Sequence, residues 1–139
     1  MNRVIYLIPI LFFLLLQSCS QPVKKEIPYS FLDHLNFPFT DSGVFNPDSA
    51  RVFTALRKSG KPFDLILPDG GTEQATWLFQ KDYSPNIDND TANIIAHKRA
   101  FHGQQMIYNL DTLPDGKYVM GTTGDGYGGF FCIEIKTEK

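Results

Sequence analysis

The chain has 139 residues, 13 basic and 15 acidic, for a formal charge of −2. That length suits one domain with a real core. No basic stripe runs through it, which argues against nucleic acid as a partner, and the mild negative balance speaks for solubility and nothing sharper.

Met1, Asn2 and Arg3 make a short positive start, and Val4–Leu16 is an apolar run interrupted only by Tyr6 and Pro9. A core of about 13 residues is too short to cross about 30 Å of hydrocarbon as a helix, which takes about 20. It suits the central region of a secretory signal peptide. Leu16 stands where a plain cleavage site wants a small residue. Leu16-Gln17-Ser18-Cys19 instead resembles a bacterial lipobox. That resemblance implies a diacylglyceryl thioether on Cys19, cleavage before it, and acylation of the new amine, commonly by palmitate. One acyl chain binds a membrane only marginally, whereas two or three hold it for good. Ser20 rather than Asp follows, which by the same resemblance favours the outer membrane, facing the periplasm. Removing residues 1–18 costs one charge, that of Arg3, and moves the balance from −2 to −3. With Cys19 acylated, Cys132 has no partner in the chain and reads as a small buried hydrophobe on a strand. With Cys19 bare, a Cys19–Cys132 disulfide becomes open.

Residues 19–29, with Pro22, Lys24, Lys25, Glu26 and Pro28, read as a lipidated tether, and 30–139 as one domain. Phe31–Phe45 is rich in aromatics without a clean period. Asn46-Pro47-Asp48 is strong helix punctuation, Val52, Phe53 and Leu56 fall on one helical face, and Gly60 and Pro62 close it. The favoured reading is a helix near 47–58. A strand stays open, because Val52, Phe53 and Thr54 also suit one and Ser59–Pro62 suits a hairpin turn. Phe63–Leu67 reads as a strand, Pro68–Gly71 as a turn and Thr72–Gln80 as a second strand with Ala75, Trp77 and Phe79 toward the core. A sugar-stacking role for Trp77 is the weaker alternative. Lys81–Thr91 is a polar loop. Asn93–Phe101 gives neither period cleanly and is taken as strand. From Gln105 onward the pattern is β: Met106, Tyr108 and Leu110 alternate, Leu113–Gly116 turns, Tyr118 and Met120 start a strand, Thr122–Gly129 is a glycine-rich connection, and Phe131, Ile133 and Ile135 alternate in the last strand.

Leu110–Tyr118 resembles the corner before the penultimate strand of immunoglobulin-like and fibronectin type III-like sandwiches, where a tyrosine hydroxyl ties back to backbone just upstream. Tyr118 is the matching residue. The Cys pair around a buried Trp is absent. The expected fold is therefore mainly β, an antiparallel immunoglobulin-like β-sandwich with one helix near 47–58, and α+β as the alternative.

His34, His97 and His102 show no metal-binding spacing: five residues put His97 and His102 on opposite faces of a strand or about 140° apart on a helix. Asp82, Asn86, Asp88 and Asp90 make an oxygen-rich loop without the glycine and closing glutamate of a calcium loop. The glycines at 121–129 precede a strand, so they are no phosphate loop. Asp125 and Tyr127 in that connection are the candidate ligand contacts. No metal and no cofactor is implied. The function expected is a lipid-anchored envelope module that binds a protein or glycan partner without catalysis. The alternative is an envelope enzyme or metal-dependent protein using His97, His102 and loop carboxylates.

Overall fold

The computed structural model describes residues 21–69, 71, 73–83, 85, 93–124 and 127–139. Eight strands fill most of it: β1 Val23–Glu26, β2 Arg51–Lys58, β3 Phe63–Leu67, β4 Gln74–Phe79, β5 Ile94–Ala100, β6 Met106–Asn109, β7 Gly116–Gly124 and β8 Tyr127–Glu138, with one short helix, α1, at Tyr29–Leu32. They form a three-stranded sheet, β1-β3-β6, and a five-stranded sheet, β2-β8-β7-β4-β5. The result is a mainly β, sandwich-like domain. Its pairing is mixed rather than purely antiparallel, since β1 runs parallel to β3 and β2 parallel to β8.

Alternation builds the core. Phe63, Leu65 and Leu67 on β3, Tyr108 on β6, and Phe131, Ile133 and Ile135 on β8 turn inward between the sheets and are buried. The sheets also meet along their sides, where β1 approaches β2 and β5 approaches β6. At the first seam the Lys25 ammonium lies 5.9 Å from the centre of the Phe53 ring.

Three expectations are corrected. The helix near 47–58 is strand β2. Asn46 does cap, but it caps a turn: its Oδ1 accepts the Asp48 N–H at 3.1 Å and its carbonyl accepts the Ser49 N–H at 3.2 Å. Extended pairing with β8 then begins at Arg51, and Val52, Thr54 and Leu56 point outward while Ala55 is buried. The segment 19–29 is not wholly a tether, because β1 pairs with β3 and Ile27 is in the core. The glycine-rich run after Thr122 is mostly ladder: β7 and β8 stay in register out to Gly124 opposite Tyr127.

Two devices tie the ends of strands. The Tyr118 hydroxyl donates to the Pro114 carbonyl at 2.8 Å, the expected tyrosine corner. Arg57, at the end of β2, fans its guanidinium over the connection between β6 and β7. Nη1 donates to the carbonyls of Leu113, Asp111 and Leu110 at 2.7, 3.2 and 3.3 Å. Nη2 meets Asp115 Oδ1 at 2.6 Å, and Nε donates to Thr137 Oγ1 at 3.2 Å.

The strand directions give the sandwich two distinct ends. The start of β1, the β2–β3 turn, the β6–β7 connection and the end of β8 share one, here the entry end. The β3–β4 and β5–β6 connections and the meeting of β7 with β8 share the other, the loop end.

Candidate functional site

The loop end is built by the turns that the sequence punctuates with proline and glycine. Pro68-Asp69 leaves β3, and Phe101–Gln105 joins β5 to β6. Asp69 latches the two together. Its Oδ2 accepts the Gly103 N–H at 2.7 Å and its Oδ1 the Gly71 N–H at 3.1 Å, while His102 Nδ1 sits 3.4 Å from Oδ2. Gly103 has φ +82, a conformation that favours glycine, which lets its amide reach across. The Gly103 amide first, then the Gly71 amide and the His102 ring, hold the Asp69 carboxyl below its ordinary range.

Tyr127 sits under this end, not at its tip. It is 6% exposed; its hydroxyl donates to Gln74 Oε1 and lies 3.4 Å from the Pro68 carbonyl. Burial pushes the phenol up to about 12. Its ring meets the Tyr29 ring edge-on at 5.6 Å. The side chains this end turns to solvent are instead Tyr29 at 44% and Phe101 at 61% exposed, with His102 and Asp69 beside them. Sequence reading missed Tyr29 and Phe101 because both sit in stretches without a period. The only signal was that each is a large aromatic within two residues of a turn-forming residue, Tyr29 after Pro28 and Phe101 before Gly103. Asp125, Cys19 and the oxygen-rich residues Asn86, Asp88 and Asp90 lie outside the described residues.

A concave region lies on the outer face of the five-stranded sheet. Trp77 is corrected here. The inward residues of β4 are Gln74, Thr76 and Leu78, all buried, and Trp77 faces out, half-buried, stacked on His97 at 5.5 Å and 10°. The inward polar pair is affordable because each finds a partner: the Thr76 hydroxyl meets the Tyr108 hydroxyl, and Gln74 Nε2 donates to the Pro68 carbonyl at 3.0 Å. Residues of the segment after α1 cover part of the outer face: Phe39, Phe45 and Phe130 pack edge to face or tilted, and the Phe130 N–H bonds the Asn36 carbonyl at 2.9 Å. Beside Phe45 lies a cavity of about 300 Å³, lined also by Tyr83, Val119 and Cys132 and by the exposed Asp82 and Lys117. Cys132 is buried, as expected, and free among the described residues, and burial raises its thiol above the ordinary range. A thiol held protonated is a weak nucleophile.

The two histidines are not brought together. His97 stacks on the sheet face and His102 caps the loop end. Among the described residues, no group of three or more His, Cys, Asp or Glu is arranged to hold a metal ion. The geometry offers surfaces for contact: an exposed aromatic and charged loop cluster, and a small aromatic cavity near the lower limit for a ligand pocket.

No family model matches the chain, and no curated protein matches it. An uncharacterized protein from Bacillus anthracis str. Ames, known from a 1.4 Å crystal structure, is similar at 21% identity over 78% of this chain and 91% of that one, with a TM-score of 0.30.

Proposed function

We propose that the chain is a lipid-anchored envelope protein whose β domain is a non-catalytic binding or accessory module, held close to its membrane and facing the periplasm from the outer membrane. Leu16-Gln17-Ser18-Cys19 and the following Ser20 support the address. The observation that carries the binding role is the polarity of the domain. Val23 opens β1 at the entry end, four residues beyond Cys19, so an acylated Cys19 lies within about 14 Å of it. The loop end, with Tyr29, Phe101, Asp69 and His102, is at the far end of strand β7, Gly116–Gly124, a span of about 30 Å. A domain anchored in this way presents its loops outward, toward a protein or glycan partner.

Two measurements test the reading. Intact-mass analysis of the mature chain is expected to show it starting at Cys19 and heavier by its acyl groups, with both features lost in Cys19→Ala. A bare Cys19, or one bonded to Cys132, defeats the anchor. A thermal-shift screen against peptides and cell-wall sugars is expected to find a stabilising ligand whose effect disappears in Phe101→Ser and His102→Ala. A shift given by metal alone and removed by His97→Ala favours instead the enzyme or metal-dependent alternative.

A further inference from the structure

The β2–β3 turn closes a concavity of about 480 Å³ at the entry end, formed by Lys58–Pro62 over a floor that includes Arg57 and Asp111. The floor is already committed. Arg57 is spent on the three carbonyls, Asp115 and Thr137. Asp111 accepts the Phe63 N–H through Oδ1 and the Asn109 amide through Oδ2. The rim is not committed: Lys58 and Lys61 are exposed, and among the described residues neither ammonium is in an ion pair. Gly60, at φ +71 with open space around its α-carbon, keeps the mouth between them clear.

This rim sits beside the place where the chain enters the domain. The Val23 N–H bonds the Pro62 carbonyl at 2.8 Å. On the anchored reading, which this inference rests on, the acyl chains on Cys19 therefore leave within about 14 Å of Val23, beside the turn that carries the two lysines. A bilayer surface that close is an intramolecular partner, and weak contacts then count. We propose that the Lys58–Lys61 concavity is a headgroup site for anionic phospholipid. It seats the entry end on the membrane and sets the loop end outward, so the orientation is fixed by charge and not by the anchor alone. A lysine at an anionic surface gains about fivefold in occupancy, the equivalent of about 1 kcal/mol.

The test uses the full lipidated protein on vesicles of phosphatidylcholine alone and of phosphatidylcholine with phosphatidylglycerol. A membrane-impermeant amine reagent labels the lysines, and peptide mass spectrometry reads the rate at each. Lys58 and Lys61 are expected to react about fivefold more slowly on the phosphatidylglycerol vesicles, with Lys98, on β5, unchanged and the difference erased by high salt. Lys58→Gln is expected to weaken the protection at Lys61. Equal rates on both vesicles, with Cys19 shown by mass to be acylated, overturn this proposal and leave the anchor standing. The same protection on phosphatidylcholine vesicles with inorganic phosphate alone overturns the lipid as occupant. A bare Cys19 overturns the anchored reading, and this proposal with it.

Discussion

Replacing Arg57 by alanine removes the clamp that ties β2 to the connection between β6 and β7. The side chain is 14% exposed, so its loss is not simply made good by water. A hydrogen bond from a charged donor contributes about 1.5–3 kcal/mol. The bond to the exposed Asp111 carbonyl is replaceable by solvent; those to Leu110 and Leu113 are partly buried. Counting these two at the lower figure gives about 3 kcal/mol. Total stabilities of about 5–15 kcal/mol make that a large share. Urea unfolding followed by circular dichroism reads it: with a slope of about 2 kcal/mol per molar, the midpoint falls by about 1.5 M. Arg57→Lys keeps the charge but not the planar fork, and is expected to recover less than half. A fall of less than about 0.3 M at unchanged slope, or a lysine variant as stable as the parent, would show that the Arg57 fork does not hold this end together.

Tyr118→Phe removes the corner hydrogen bond and should cost about 1 kcal/mol, seen as a fall of about 4 °C in Tm by calorimetry. Thr122 is 3% exposed, and its Oγ1 has no hydrogen-bond partner among the described residues; Thr122→Val should therefore stabilise by about 1 kcal/mol, and a lower Tm would show that the hydroxyl is satisfied. Tyr108 and Tyr127 are both pushed up to about 12 by burial. Their folded values lie above the unfolded one, so the stability they contribute is complete below the ordinary tyrosine range and is lost as pH rises through about 12. Phenolate absorbance should show these two ionising only together with loss of the β circular-dichroism signal.

The C-terminal half was legible because its alternation is clean: Met106, Tyr108 and Leu110, then Phe131, Ile133 and Ile135, all land in the core. The corner at Tyr118 was legible because its turn residues are specific. β2 was not, because Asn46-Pro47-Asp48 starts a turn with the same residues that start a helix, and the partner that makes it a strand lies 80 residues away. β1 was hidden by Lys24, Lys25 and Glu26, charges that suit an edge strand as well as a tether. Trp77 was assigned to the wrong face because periodicity assumes that apolar means inward. Here Phe39, Phe45 and Phe130 give the outer face its own apolar cluster, and hydrogen bonding lets Gln74 and Thr76 turn in. The loop end was least legible: Asp69, Tyr29 and His102 are assembled from three connections, and no local pattern records which turns become neighbours.

The parallel pairing of β2 with β8 has a price in time. Arg51 finds Phe131, and Lys58 finds Glu138, only after all of the polypeptide between them has been made. Until β8 arrives, β2 has no neighbour in the larger sheet and β7 has only β4. Such long-range closure slows folding, and it leaves bare strand edges that invite association between unfinished molecules. Until the final strand locks into place, the backbone groups of Arg51–Lys58 that it pairs stay open to a neighbouring molecule.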